Sequence, residues 1–278
     1  MIDLHLHTTA SDGRLSPDEL VARAAGLGLT VISVTDHDTI AGLAEAQASA
    51  ARHGLRLVPG IEITAVEEAR DVHVLGYFFD PDDGALAEFL RGQREDRRRR
   101  VEGMVQRLAD LGVPVDAPQL FASVTPGSGR SLGRPHVADA LVAAGHAQDR
   151  GDAFDRFLGS GRPAFVPRRG AGVNEVAGIV AAAGGVASLA HPGLMPLDPA
   201  IPGFVARGLL AIEVWHSDHD AATTERYRQL AQALGIGMSG GSDFHADHSH
   251  HASGIGSVTL PVEAFDDLAA RAGRRAGR

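Results

Sequence analysis

Residues 2–13 read IDLHLHTTASDG, an apolar run carrying His5 and His7 two positions apart, with Asp12 just beyond. Side chains at i and i+2 of a strand point to the same face, so the two imidazoles stand side by side and suit a shared metal ion. Immediately downstream, SPDELVARAAGLG places Ser16 as the cap and Pro17 in the first turn of a helix, and LTVISVTDHD returns to a strand. Strand, crossover helix, strand predicts a parallel sheet of the α/β class.

The rhythm continues outward. AGLAEAQASAARHG is helical and ends at His53 before a glycine, and LRLVPGIEITA and DVHVLGYFF are the third and fourth strands. Between about Asp82 and Pro167 the pattern breaks into one long helix, ALAEFLRGQREDRRRRVEGMVQRLADLG, a loop rich in Pro, Gly and Ser, and helices at HVADALVAAG and DAFDRFLG. Alternation resumes with NEVAGIVAAAGG, VASLAHPG, LLAIEVWHS, TTERYRQLAQALG and IGMSGGSDFH. The total of about seven strands is enough for a barrel. The expected organisation is a discontinuous barrel domain, residues 1–81 and 168–265, a helical insertion, residues 82–167, and a disordered tail, residues 266–278.

Composition narrows the chemistry. The 278 residues are enough for a sizeable core, and no apolar run approaches the roughly 20 residues that cross a bilayer. The N-terminus shows no basic stretch followed by a long apolar one, so a secretory signal is not expected and cytoplasmic residence is the default. The absence of cysteine excludes disulfides, thiolate metal sites and cysteine nucleophiles, so any metal is held by nitrogen and oxygen. A net charge of −9 argues against a protein that grips duplex DNA, yet leaves room for a small phosphorylated substrate near bound cations. All 26 basic residues are Arg.

The polar residues of interest fall where strands end. They are His5 and His7, Asp36 and His37, Glu62, His73, His191, Glu213 and His216, and Asp243 with His245. Parallel barrel strands converge at one mouth, where such residues would meet. A lone strand-end histidine is usually a hydrogen-bonded core residue, but this set spans too many strands for separate coincidences. Trp215 and Phe244 read as walls of the site. His248, His250 and His251 lie in a polar loop that reads as solvated or metal-holding. Within REDRRRR, Arg94, Arg97 and Arg98 at helical spacing read as a solvated helix face, with a phosphate grip as the alternative.

HLHTTASDG, VTDHDT, PGIEIT, DVHVLGY, LAHPG, EVWHS and SDFH resemble the ordered motifs of the polymerase and histidinol phosphatase (PHP) superfamily, from Met1 to about Leu260. The resemblance implies a distorted (β/α)7 TIM-like barrel holding up to three divalent metals. It implies His5, His7, Glu62 and Asp243 at one metal, Asp12, His37 and His245 at a second, and Glu62, His73 and His191 at a third, with Glu62 bridging. The segments GRPHVADALVAAGH and AFDRFLGSGRPAFVPRR are similar to the lid-like insert of stand-alone members that remove the 3′-phosphate from 3′,5′-bisphosphonucleotides and trim short RNA from its 5′ end. That likeness implies Arg134, His136 and Arg168 as contacts to substrate phosphates. The free N–H groups of a helix start at Gly133–Pro135 would also favour an anion.

Phosphate ester hydrolysis needs an activated water, charge relief on the phosphoryl oxygens and help for the leaving oxygen, and two or three closely spaced cations can supply all three. Imidazole and carboxylate ligands suit Mn²⁺, Fe²⁺, Zn²⁺ or Mg²⁺, and the resemblance favours Mn²⁺. Asp36 is expected to orient a ligand imidazole or to cap a strand end. His216 is a candidate general acid, or a histidine packed beside Trp215. Histidinol-phosphate phosphatase is the nearest alternative activity, and a non-catalytic nucleotide-binding module is a second. An amidohydrolase relying on a carbamylated Lys is excluded, because the chain has no Lys.

Overall fold

The computed structural model describes residues 1–122, 124–125, 127–246 and 254–276. His248, His250 and His251 lie outside the described residues. Seven strands form one sheet in chain order: β1 (Ile2–Leu6), β2 (Val31–Val34), β3 (Arg56–Glu67), β4 (Arg70–Tyr77), β5 (Val186–Leu189), β6 (Ala211–Trp215) and β7 (Gly237–Gly240). Leu6 bridges to Phe244 just beyond β7, which brings the sheet round into a nearly closed barrel. Asp3 fastens this seam. Its carboxylate accepts the Ser242 N–H at 3.0 Å, the Ser242 hydroxyl at 2.7 Å and the Gly256 N–H at 2.9 Å.

The crossover pattern predicts a parallel sheet, and the structure departs from it in the middle. β3 pairs with β2 in parallel through Arg56–Pro59, then turns to pair antiparallel with β4 from Gly60 to Glu67. β4 is also antiparallel to β5. The β3–β4 hairpin turns at Glu68 and Ala69, both at positive φ (49° and 62°). Such turns normally carry Asn or Gly, so the sequence lacks the usual mark of a hairpin here. The reversal keeps His73 at the mouth: it stands near the start of β4, level with Thr64 of β3, at the end where the parallel strands finish.

The helices between strands follow their sequence signals. Helix α1 (Pro17–Gly26) opens with a capping box between Ser16 and Glu19, and α2 (Leu43–His53) ends at Gly54 in the left-handed conformation. The insertion contributes α3 (Gly84–Asp110), α4 (Ala117–Ala122), α5 (Arg134–Ala143) and α6 (Arg150–Ala153), the last continued by a π-helical turn to Leu158. The insertion has its own apolar core, including Val101, Met104, Leu108, Val137 and Leu141, whereas Leu86 and Leu90 at the start of α3 belong to the barrel core. Then follow α7 (Val173–Ala182), α8 (Ile201–Ala206), α9 (Ala221–Leu234) and α10 (Val262–Ala276). The expectation of a disordered tail from residue 266 is therefore corrected: residues 266–276 continue α10. The reason is amphipathic spacing, since Phe265, Leu268 and Ala272 are buried against Leu4, Leu75 and Tyr77 on the outer face of the sheet.

Candidate active site

The strand-end residues meet at one mouth. Glu62 is at its centre, 1% exposed and in reach of five imidazoles. One oxygen lies 3.4 Å from His5 Nε2, 3.2 Å from His7 Nε2 and 3.0 Å from His37 Nδ1. The other lies 2.8 Å from His73 Nδ1 and 3.2 Å from His191 Nε2. Asp243 approaches His5 Nε2 at 3.2 Å and His7 Nε2 at 3.1 Å. Asp12 lies 3.6 Å from His37 Nε2 and 3.4 Å from His245 Nε2. Each of the expected ligand residues thus belongs to one cluster, and His5, His7, Glu62 and Asp243 form one compact donor group, with His7, Asp12, His37 and His245 a second. Around Glu62 and His73 the third group includes His37, so His37 stands between two groups, while His191 reaches Glu62 from the far side.

The chemistry of this donor set fits cations. His5 Nε2, both ring nitrogens of His7, Asp12 Oδ1, His37 Nδ1 and Glu62 Oε2 are buried without a hydrogen-bond partner. Leaving one buried polar atom unsatisfied costs about 1–3 kcal/mol, so several facing one another make a costly arrangement that metal ligation would resolve. Burial alone would raise the Glu62 carboxyl, but the surrounding imidazoles, His37 foremost, hold it well below the usual range. Asp12 and Asp243 are likewise held low against their burial by neighbouring histidines. Burial would push His7 down, yet the neighbouring carboxylates of Asp243 and Glu62 lift it to about 10.

Backbone geometry sharpens the aim. His191 (φ 27°) and Asp243 (φ 53°) adopt the left-handed region without being glycine, a strain typical of functional positions. Gly13 lets the loop bearing Asp12 fold back over β1, since a Cβ there would lie 2.4 Å from the His7 carbonyl oxygen. Asp36 organises the same loop. Its carboxylate accepts the Thr8 N–H at 2.8 Å and the Thr8 and Ser11 hydroxyls at 2.6 Å each. It therefore positions the Asp12 loop rather than an imidazole, which corrects the expected role. His216 is buried; the Asp218 N–H donates to its Nδ1 at 3.1 Å, and its Nε2 faces Asp243 at 3.2 Å.

The cluster forms the floor of a cavity of about 390 Å³, and the opposite wall comes from the insertion. That wall carries Arg97, Arg100, Arg134 and Arg150, joined by Arg168 from the returning chain, and an apolar strip including Val101, Met104, Leu132 and Phe154. Two carboxylates hold four of these arginines, and Asp139 holds Arg150 at 2.7 Å. Asp38 pairs with Arg97 and with Arg168 at 3.0 Å, and Asp71 pairs with Arg100 at 2.7 Å and Arg134 at 3.3 Å. Both carboxyls are held below their ordinary value, their burial outweighed by Arg168 and Arg97 around Asp38 and by Arg100 and Arg134 around Asp71. Arg168 has a side chain only 2% exposed, and its Nε and Nη1 have no hydrogen-bond partner.

These placements correct several sequence readings. Arg97 and Arg100 turn into the cavity, because the helical repeat that leaves Arg98 partly exposed and Arg99 exposed carries them to the face shared with Val101 and Met104. The solvated-face reading therefore holds for Arg98 but fails for Arg97, while Arg94 is half-buried and reaches the Asp38 carbonyl. His136 does not line the cavity; its Nδ1 accepts the Gly133 N–H at 3.1 Å and closes the first turn of α5. Trp215 lines a shallower depression with His216 and His219, and Phe244 is in the barrel core, so neither walls the cavity. Asp38, Asp71 and Arg100 drew no notice in the sequence. VTDHDT, DVHVLGY and REDRRRR hold all three, but only tertiary pairing reveals the role.

Residues 3–117 match the PHP domain family model. Over 252 residues the chain is 34% identical to the 3′,5′-nucleoside bisphosphate phosphatase of Chromobacterium violaceum, covering 88% of this chain and 87% of that one. It is 36% identical over 254 residues to a 5′-3′ exoribonuclease of Haemophilus influenzae, covering 87% and 89%. A solved structure from Bifidobacterium adolescentis, described as a metal-dependent phosphoesterase, superposes with a TM-score of 0.89 at 34% identity over 97% of this chain and 96% of that one. With the convergent histidines and carboxylates on one floor and kinship along most of its length, the chain belongs to the PHP domain family of metal-dependent phosphoesterases.

Proposed function

We propose that this enzyme removes the 3′-phosphate of 3′,5′-bisphosphonucleotides, releasing inorganic phosphate and the 5′-monophosphate. The observation that carries this reading is the single cavity with two anion-seeking ends. Its floor is the donor cluster, and its far wall holds buried arginines whose charge exceeds that of Asp38 and Asp71. One phosphate would lie on the floor and the other would be gripped by Arg168 and Arg134, with Arg100 beside them, while Phe154 and Met104 give the nucleoside an apolar surface. Histidinol phosphate has one phosphate and an ammonium that this wall repels. A 5′-phosphorylated RNA end offers the same two-anion pattern, and the similarity to the Haemophilus influenzae exoribonuclease favours trimming from that end as a second activity.

In this mechanism His5, His7, Asp12, His37, Glu62, His73, His191, Asp243 and His245 would hold two or three divalent cations, Mn²⁺ first among them. Such ions, when bound, activate water and neutralise charge on the phosphoryl oxygens. The protein's own groups set the stage. The arginine wall fixes the unreactive phosphate and so orients the reacting ester, which converts binding into transition-state alignment. Because the Asp218 N–H occupies Nδ1, the proton of a neutral His216 is on Nε2, where it is directed at Asp243. We therefore assign His216 to holding Asp243, in place of the general-acid role.

Phosphorus NMR of the product mixture tests the assignment. With Mn²⁺ present, kcat/KM for a 3′,5′-bisphosphonucleotide should exceed that for histidinol phosphate by at least about tenfold, or about 1.4 kcal/mol of transition-state binding. A surviving 3′-monophosphate, or a preference for histidinol phosphate, overturns it.

A further inference from the structure

Glu213 is a buried carboxylate, 0% exposed on β6, to which the mechanism above gives no task. Its two oxygens serve two different parts of the donor cluster. Oε1 lies 2.9 Å from His5 Nδ1, and Oε2 accepts the His191 backbone N–H at 2.8 Å. His5 turns its other nitrogen, Nε2, toward Glu62 and Asp243, whereas His191 turns its own Nε2 toward Glu62 from the opposite side. His191 also has the strained φ of 27°, and the bond to Glu213 is what holds that N–H in place.

We propose that Glu213 is a positioning residue that couples two metal subsites, the one built on His5 and the one built on His191, so that they are formed or lost together. This rests on reading the cluster as a metal centre. The reasoning is one of donors and acceptors. A carboxylate accepts at both oxygens, so it keeps the proton of His5 on Nδ1, leaves the Nε2 lone pair facing the cluster, and pins the His191 turn. In Glu213→Gln the amide offers one oxygen and one NH₂. If the NH₂ faces His5, it drives the ring proton to Nε2 and blocks ligation; if it faces His191, two N–H groups oppose each other. Asp12, His37 and His245 belong to a donor group that does not include Glu213, and the subsite they form is expected to be spared.

The test reads each subsite separately. Crystals of wild type and of Glu213→Gln are soaked in graded Mn²⁺, and anomalous difference maps give the occupancy at each position. The Mn²⁺ concentration for half-occupancy should rise about 10–100-fold at the His5 and His191 positions and stay within about twofold at the Asp12 position. A uniform loss, a loss at one of the two positions alone, or no loss overturns the coupling. If wild type itself takes up no Mn²⁺, the metal-centre reading fails instead. Should the variant not fold, nitrogen NMR of wild type loaded with Mg²⁺ decides: a proton on His5 Nδ1, hydrogen-bonded to a carboxylate, supports the proposal, and a bare Nδ1 refutes it.

Discussion

Replacing Arg168 with Ala probes the arginine wall most directly. The guanidinium is 2% exposed, spends Nη2 on Asp38 at 3.0 Å, and keeps Nε and Nη1 without partners. A hydrogen bond to a charged group contributes about 1.5–3 kcal/mol, and Asp38 already draws on this charge, so the lower end applies to each of the two donors. The sum is about 3 kcal/mol, which corresponds to roughly two decades in kcat/KM for a bisphosphonucleotide. A simple aryl phosphate has no second phosphate and should lose less than about threefold. Asp38 retains Arg97 and the Thr64 N–H at 2.9 Å, so the fold survives with about 1–3 kcal/mol less stability, read by denaturant unfolding. Steady-state kinetics on both substrates, side by side, complete the assay. Equal losses on the two, or no loss on the bisphosphonucleotide, would refute the idea that this guanidinium meets the distal phosphate.

Arg134→Ala should cost less, about tenfold on the same substrate, because this side chain is 26% exposed and shares Asp71 with Arg100; a loss that is the same for an aryl phosphate would place it elsewhere. Asp243→Asn keeps size but removes charge at the floor, and turnover should fall by orders of magnitude while circular dichroism stays unchanged. Divalent metal should raise Tm: at a hundred times Kd the gain is about 2.7 kcal/mol, or about 5–11 °C for a chain of this size, and calorimetry with and without Mn²⁺ measures it. The carboxyl of Asp38 is lowered in the folded state, so its stabilisation is fully present above its unfolded value near pH 4 and declines as pH falls below that. The stability gap between wild type and Asp38→Asn should therefore narrow between pH 5 and pH 2.5, and a gap that widens on acidification contradicts the sign.

The site was legible where function repeats one residue type at strand ends. His5, His7, His37, His191 and His245 stand out because five buried imidazoles from four separate segments have no common structural explanation. Other features were hidden for physical reasons. The β3–β4 hairpin turns on Glu68 and Ala69, which bear no turn signature, so a reversal of strand direction read as one more parallel step. Arg97 and Arg100 look like solvent-facing charge until Asp38 and Asp71 are brought to them from segments 59 and 29 residues away in sequence. Phe265, Leu268 and Ala272 are too sparse in a run ending in Arg, Gly and Ala to announce a helix without the sheet they cover.

The 27 residues of α3 make a rod about 40 Å long, anchored at one end by Leu86 and Leu90 in the barrel core and at the other by Val101, Met104 and Leu108 in the insertion core. Arg97 and Arg100 ride on the span between the two anchorages. The distance from the floor to the arginine wall is therefore a mechanical property, set by the stiffness of one uninterrupted helix rather than by the packing of a hinged flap. A kink within that span would re-space the two anion sites while leaving every ligand and every arginine in the chain, and the enzyme would then measure a different length of substrate.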